Sequence, residues 1–131
     1  MTNDIWLNLP VKDLAKSINF FTQIGFQHNP GPGNTADSAS FLIGDKKVVL
    51  MLFAQDMFAG FTRHALVDTS KGSEVLFSLG AVNREDVDNY ANRAREAGAA
   101  SSPNRANQTD SCTAAAFATP MATAGMRFSW I

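Results

Sequence analysis

Cysteine is almost missing from this chain. Cys112 stands alone, which excludes an intrachain disulfide and any cysteine-based zinc site. Long apolar runs are missing too. None approaches the roughly 20 residues that a membrane-spanning helix needs. The opening Met-Thr-Asn-Asp-Ile-Trp lacks the basic region and apolar stretch of a secretory signal. Neither sign of charge dominates. With 11 basic and 12 acidic residues the net charge is -1, so the electrostatic footprint of a nucleic-acid binder is absent. These absences predict a soluble cytoplasmic protein with neither nucleic acid nor membrane as a partner. Tyrosine is scarce, at one residue against 10 phenylalanines, so the apolar material is Phe-rich. The hydrophobic share of 45% is ordinary for a globular protein and argues against general disorder. A length of 131 residues makes a single domain, read as 1–131, large enough to bury a core without disulfide or metal staples.

Two periodicities organise the chain. From Asp4 to Leu9, Ile5, Leu7 and Leu9 alternate with Trp6 and Asn8, a strand pattern that Pro10 is expected to end. Asp13 can cap a helix over 13–24, with Leu14, Ile18 and Phe21 on its apolar side and Gly25 after it. A short strand over Phe26 to Asn29 leads into Asn29-Pro-Gly-Pro-Gly-Asn34, the strongest turn signal present. Ser38 to Ile43 and Lys47 to Phe53 read as strands joined at Gly44-Asp45. The second is almost continuously apolar, so both its faces should be covered. A short helix is expected over Gln55 to Phe61 and a polar loop over His64 to Ser73. The order then restarts. Glu74 to Leu79 is a strand. Asn83 caps a helix over 84–97 with Val87, Tyr90, Ala91 and Ala94 on its apolar side, and Gly98 ends it. The halves align at an offset of 73 that pairs Asp13 with Asp86 and Gly25 with Gly98. The expected fold is α+β. Two βαβββ modules, one about 1–60 and one about 74–131, form a curved mixed sheet with a central cleft.

The stretch Ile5-Trp-Leu-Asn-Leu-Pro-Val-Lys-Asp-Leu-Ala-Lys-Ser-Ile-Asn-Phe-Phe-Thr-Gln-Ile-Gly-Phe26 resembles the opening of the glyoxalase/bleomycin-resistance/extradiol dioxygenase superfamily, the vicinal oxygen chelate proteins. The similarity continues through Asp68-Thr-Ser-Lys-Gly-Ser-Glu-Val-Leu76 to Ala99 and covers roughly the first 110 residues. It implies paired βαβββ modules, commonly assembled as dimers. It also implies, in catalytic members, one divalent metal held by His, Glu or Gln on strands of both modules.

The ending departs from that pattern. Ser111 to Ile131 holds six Ala and three Thr, one Arg and no acidic residue. The resemblance implies instead a strand, an Asp-Pro-Asp-Gly-His turn, and a last strand with an acidic metal ligand. Back-translation suggests a reason. Read one base earlier, permitted codons from Asp110 onward spell Phe-Met-Tyr-Gly-Arg-Ser-Phe-Arg-Asp-Pro-Asp-Gly-His-Gly-Trp-Asp-Glu-Val-Leu-Leu-Asp. Third bases can be chosen, but the single codons of Met121 and Trp130 force the Gly and the final Asp that follow them. The reading is a single frameshift near Asp110, in the gene, the clone or the recorded sequence; the alternative is a divergent Ala-rich tail that back-translates well by chance. As printed, Thr113 to Thr119 and Met126 to Ile131 can still form strands.

The resemblance also locates candidate ligands. Glu74 falls where relatives commonly carry a metal-binding His, and its carboxylate can bind a divalent cation. A solvated carboxylate at a strand start is the plainer reading. Asn8 falls at a first-strand His position, and an amide oxygen is a poor transition-metal ligand. Met51 or Leu52 lies near a further ligand position, and neither replaces a carboxylate. Arg127 stands at the codon of the shifted Glu. His28 and His64 are isolated, and no nucleophile motif appears. Cys112 lies inside the suspect tail. Arg63, Lys71 and Arg84 could face an anion, although surface cations need no such role. Phe41, Phe53, Phe58, Phe61 and Phe77 read as core, some of them lining an apolar cavity.

Two functions follow. The first is a glyoxalase-like binding protein for a small molecule, contacted by Asn8, Glu74, Trp6, Met51, Phe53 and Phe77, with no metal and no cofactor, and assembled as a homodimer. The second is a metal-dependent lyase or dioxygenase, in which a metal polarises two neighbouring substrate oxygens and a carboxylate moves a proton.

Overall fold

The computed structural model describes residues 2–68, 71, 75–101, 115–118 and 126–130. The chain divides into two compact units, Met1–Val67 and Asp68–Ile131. In the first unit, β1 (Trp6–Val11) leads to α1 (Leu14–Gln23), β2 (Gln27–His28), β3 (Ser38–Ile43), β4 (Val48–Ala54) and α2 (Gln55–Thr62). In the second, β5 (Val75–Leu79) leads to α3 (Arg84–Glu96), β6 (Ala100–Ser101), β7 (Ala115–Ala118) and β8 (Met126–Trp130). The sheets run β1-β4-β3-β2 and β5-β8-β7-β6, each with its first strand parallel to its last and the other pairs antiparallel. Both units therefore repeat the expected β-α-β-β-β order around an open, mixed four-stranded sheet, and the α+β class stands.

Both main helices begin and end by the same local chemistry. The Asp13 carboxylate accepts from the Lys16 N–H at 3.0 Å, and the Asn83 amide oxygen accepts from the Asp86 N–H at 2.9 Å. At the far end Gly25 (φ 100°) and Gly98 (φ 93°) take conformations that a Cβ disfavours. The Phe26 N–H bonds Phe21 O at 3.0 Å while Gly25 N–H bonds Thr22 O at 3.1 Å. Ala99 N–H to Ala94 O at 2.9 Å and Gly98 N–H to Arg95 O at 3.0 Å repeat the arrangement. The Phe26 ring then stacks on Phe21, centroids 5.5 Å apart, so the cap also seals the core. The offset of 73 thus holds at the helix ends but not at their starts. Asp13 corresponds to Asn83, not to Asp86, because α3 has 13 residues against 10 in α1. Acidic Glu85 and Asp86 open α3 and Arg93 and Arg95 close it, matching the helix dipole.

The first unit's core lies between its sheet and α1, which rests against β3 and β4. Leu9 and Val11 of β1, Phe41 of β3 and Leu50 and Leu52 of β4 meet Phe20, Phe21 and Ile24 there, all buried. Phe21 lies 5.9 Å from Phe41 between ring centroids. The buried helix residues are Ser17, Phe20 and Phe21, whereas Leu14 and Ile18 are only half-buried. The stripe is turned from the expected one because Ser17 can be buried at little cost. Its hydroxyl donates to Asp13 O at 2.7 Å and so remains satisfied. On α3, Val87 and Ala94 are buried, and Tyr90 and Ala91 half-buried.

Pro10 does not end β1. The strand continues to Val11, with Pro10 opposite Phe53. A proline nitrogen cannot donate, but β1 is an edge strand of its sheet, so that nitrogen can face the side without a neighbour. The β3–β4 connection is Gly44 to Lys47, closed by Lys47 N–H to Gly44 O at 3.0 Å.

Candidate functional site

Strand register decides which side chains share a surface. Phe41, Leu50 and Leu7 stand in one cross-strand row, on the face that α1 covers. Alternation places the neighbouring rows on the other face. From one end these are Ser38, Phe53 and Pro10, then Ser40, Met51 and Asn8, then Gln27, Leu42, Val49 and Trp6. Four of the six expected contact residues, Trp6, Asn8, Met51 and Phe53, therefore lie on one face of the first unit's sheet. Met51 is paired with Asn8, and Leu52 points into the α1 core.

This face is unevenly covered. At the first row, Phe61 of α2 sets its ring edge against Phe53, centroids 5.1 Å apart, and Phe53 is buried. Over the middle row lies the Pro-Gly loop. A Cβ on Gly33 would meet Met51 Cε at 3.3 Å and Ser40 Cβ at 3.4 Å. The loop is pinned from three directions. Asn34 Nδ2 donates to Asn29 O at 2.7 Å, the Ser40 N–H donates to Asn34 Oδ1 at 3.0 Å, and Asn29 Nδ2 donates to Ser40 Oγ at 3.0 Å. Ser38 Oγ closes its near end by donating to Gly33 O at 2.9 Å. Met51 is consequently buried, while Asn8 remains exposed and Trp6 is 62% exposed. The turn was legible as a turn. Its position over the sheet was not, because Asn29, Asn34 and Ser40 meet only after β3 has folded back.

The remaining candidates fall elsewhere. Phe77 is half-buried on β5 in the second unit, and Glu74 lies outside the described residues, as does Cys112. His28 is on the opposite, α1-facing side, its ring edge 5.6 Å from Phe41. His64 is exposed. Arg63 ends α2 in a left-handed conformation (φ 56°), Lys71 pairs with Asp68 at 3.8 Å with both side chains exposed, and Arg84 starts α3.

The donor set limits the chemistry. The rows just named offer exposed amides at Asn8 and Gln27, a thioether at Met51, and two serine hydroxyls already engaged in hydrogen bonds. Among the described residues no group of three or more His, Cys, Asp or Glu side chains could hold a metal. An amide and a thioether do not make a divalent-metal site, which takes about three imidazole, carboxylate or thiolate ligands. The residues present on the first unit's face therefore do not fit the metal. Apolar contact and the amides of Asn8 and Gln27 are what this face can supply. Among the described residues, no helix is long and apolar enough to cross a membrane.

Residues 5–121 match the family described as the Glyoxalase/Bleomycin resistance protein/Dioxygenase superfamily. No curated protein matches the chain. Among solved structures, a hypothetical protein of S. aureus is 28% identical with a TM-score of 0.80, over 99% of this chain and 93% of that one. A glyoxalase/bleomycin resistance protein/dioxygenase family enzyme from Burkholderia phytofirmans is 16% identical with a TM-score of 0.72, over 95% of this chain and 94% of that one. The fosfomycin resistance protein FosX from Listeria monocytogenes, in complex with Mn(II) and sulfate, is 16% identical with a TM-score of 0.71, over 99% and 89%.

Proposed function

The chain belongs to the Glyoxalase/Bleomycin resistance protein/Dioxygenase superfamily, and from that membership we propose that it is a small-molecule-binding protein that works without a catalytic metal. In this reading residues 1–131 act as one glyoxalase-like domain. The ligand touches Trp6, Asn8, Met51, Phe53, Glu74 and Phe77. The protein works in the cytoplasm as a homodimer. One observation carries the reading: in the Asn8–Met51 row an amide and a thioether are paired, at strand positions where the resemblance implies metal ligands. The exposed indole of Trp6 suits stacking against a flat apolar group, and the Asn8 amide can both donate and accept beside it. Binding without metal needs nothing more than such a surface.

The second reading is a metal-dependent enzyme of the glyoxalase or dioxygenase type. It draws support from the Mn(II) in the Listeria FosX structure and from the carboxylate of Glu74. Elemental analysis of the dialysed protein separates the two. The binding-protein reading expects manganese, zinc, nickel and iron all far below one atom per chain. Stoichiometric metal that survives dialysis and disappears in Glu74→Ala would put the enzyme reading first.

A further inference from the structure

The strand positions in the second unit bear on the reading frame of its end. β7 (Ala115–Ala118) and β8 (Met126–Trp130) pair antiparallel, with Ala118 opposite Arg127, so codons 119–125 encode the link between them. In the frame one base earlier, those seven codons can read Asp-Pro-Asp-Gly-His-Gly-Trp. This is dense turn chemistry. Proline presets φ, aspartate bonds the backbone ahead of it, and glycine takes positive φ. The printed link has only Pro120 and Gly125, with four residues of no turn preference between them. The glycine that the Met121 codon forces in the shifted frame falls inside this link. That glycine does not depend on any choice of third base.

The strand that follows agrees as well. In the first unit, the strand parallel to the opening strand is the apolar run Val48 to Phe53. At the corresponding place, parallel to β5, the shifted frame reads Asp-Glu-Val-Leu-Leu on the codons of β8, against the printed Met-Arg-Phe-Ser-Trp. It also restores acidic residues to a tail of 21 residues that has none.

We propose that the working form of this chain is encoded one base behind the printed frame from about codon 111 onward. The second unit then ends in a tight acidic turn and a Val-Leu-Leu strand. This does not rest on the ligand or metal reading and uses no assay of either.

The nucleotide sequence of the gene, read from source DNA, tests it. In the frame that gives the printed chain, the proposal requires the Ala118 codon to end in G, Thr119 in C, Pro120 in G and Ala122 in C. The Arg127 codon must begin AG, not CG. A CG codon at Arg127, or any other third base at Ala118 or Pro120, overturns the proposal. The second arm compares the two full-length chains by thermal unfolding. The shifted ending should raise the midpoint by about 4 °C or more, the shift that about 1 kcal/mol gives a chain of this size. An equal or lower midpoint overturns it. Peptide sequencing of the protein purified from its own cells should find the Asp-Pro-Asp-Gly-His peptide, and finding only the printed tail would likewise overturn it.

Discussion

Asp13 and Asn83 each satisfy one backbone N–H that their helix leaves without an internal partner. Replacing either by alanine should lower stability by about 1 kcal/mol, read as a shift of the urea midpoint. The glycines divide differently. Gly25 has φ 100°, so Gly25→Ala forces an L side chain into a left-handed backbone and should cost about 1–2 kcal/mol. Gly33 is constrained by space instead. Its added methyl would press on the end of the Met51 side chain, which can move, and on the Ser40 Cβ, which moves less. Gly33→Ala should therefore cost about 1 kcal/mol or less, below Gly25→Ala in the same urea series. The reverse order would show that Met51 is locked in place.

The 29–34 loop behaves as an element of its own, held to β3 through Asn34. Asn34→Ala removes the acceptor of the Ser40 N–H and should cost about 2 kcal/mol. Asn34→Asp keeps that acceptor but turns a carboxylate toward the carbonyls of Asn29 and Gly31, 2.7 and 3.3 Å from the present amide nitrogen. Facing two carbonyl oxygens raises the introduced carboxyl's pKa in the folded state. A raised folded pKa gives stability that is present at low pH and lost as pH rises through it. The variant should thus be weaker than the parent at neutral pH and approach it below about pH 4. Urea unfolding at both pH values checks this. Elements of this kind mark how far the sequence could be read. Both helix caps and both terminal glycines were legible, because a cap is chemistry among neighbours in the chain. The α1 stripe was misread at Ser17, whose hydroxyl is satisfied by its own helix. The end of β1 was misread at Pro10, which an edge strand tolerates. Asn8 and Trp6 could be placed on one face by simple alternation. Met51 could not be told from Leu52, since an unbroken apolar strand carries no alternation and only its pairing with β1 decides.

At the scale of the whole molecule, the chain leaves large apolar side chains in water. Ile5, Trp6, Phe61 and Val82 are each more than 60% exposed. Pairing with a second copy, as the proposed homodimer requires, would give such groups a partner surface. Light scattering at micromolar concentration should give twice the chain mass, and a monomer alone would remove the homodimer from the proposal. The parallel pairing of first strand with last, present in both units, also sets an order of events during synthesis. Neither sheet can close until its final strand has left the ribosome, because the opening strand has no other neighbour in its own sheet. The first unit can reach that point while the second is still being made. A change confined to the last codons can therefore meet a first unit whose sheet has already closed.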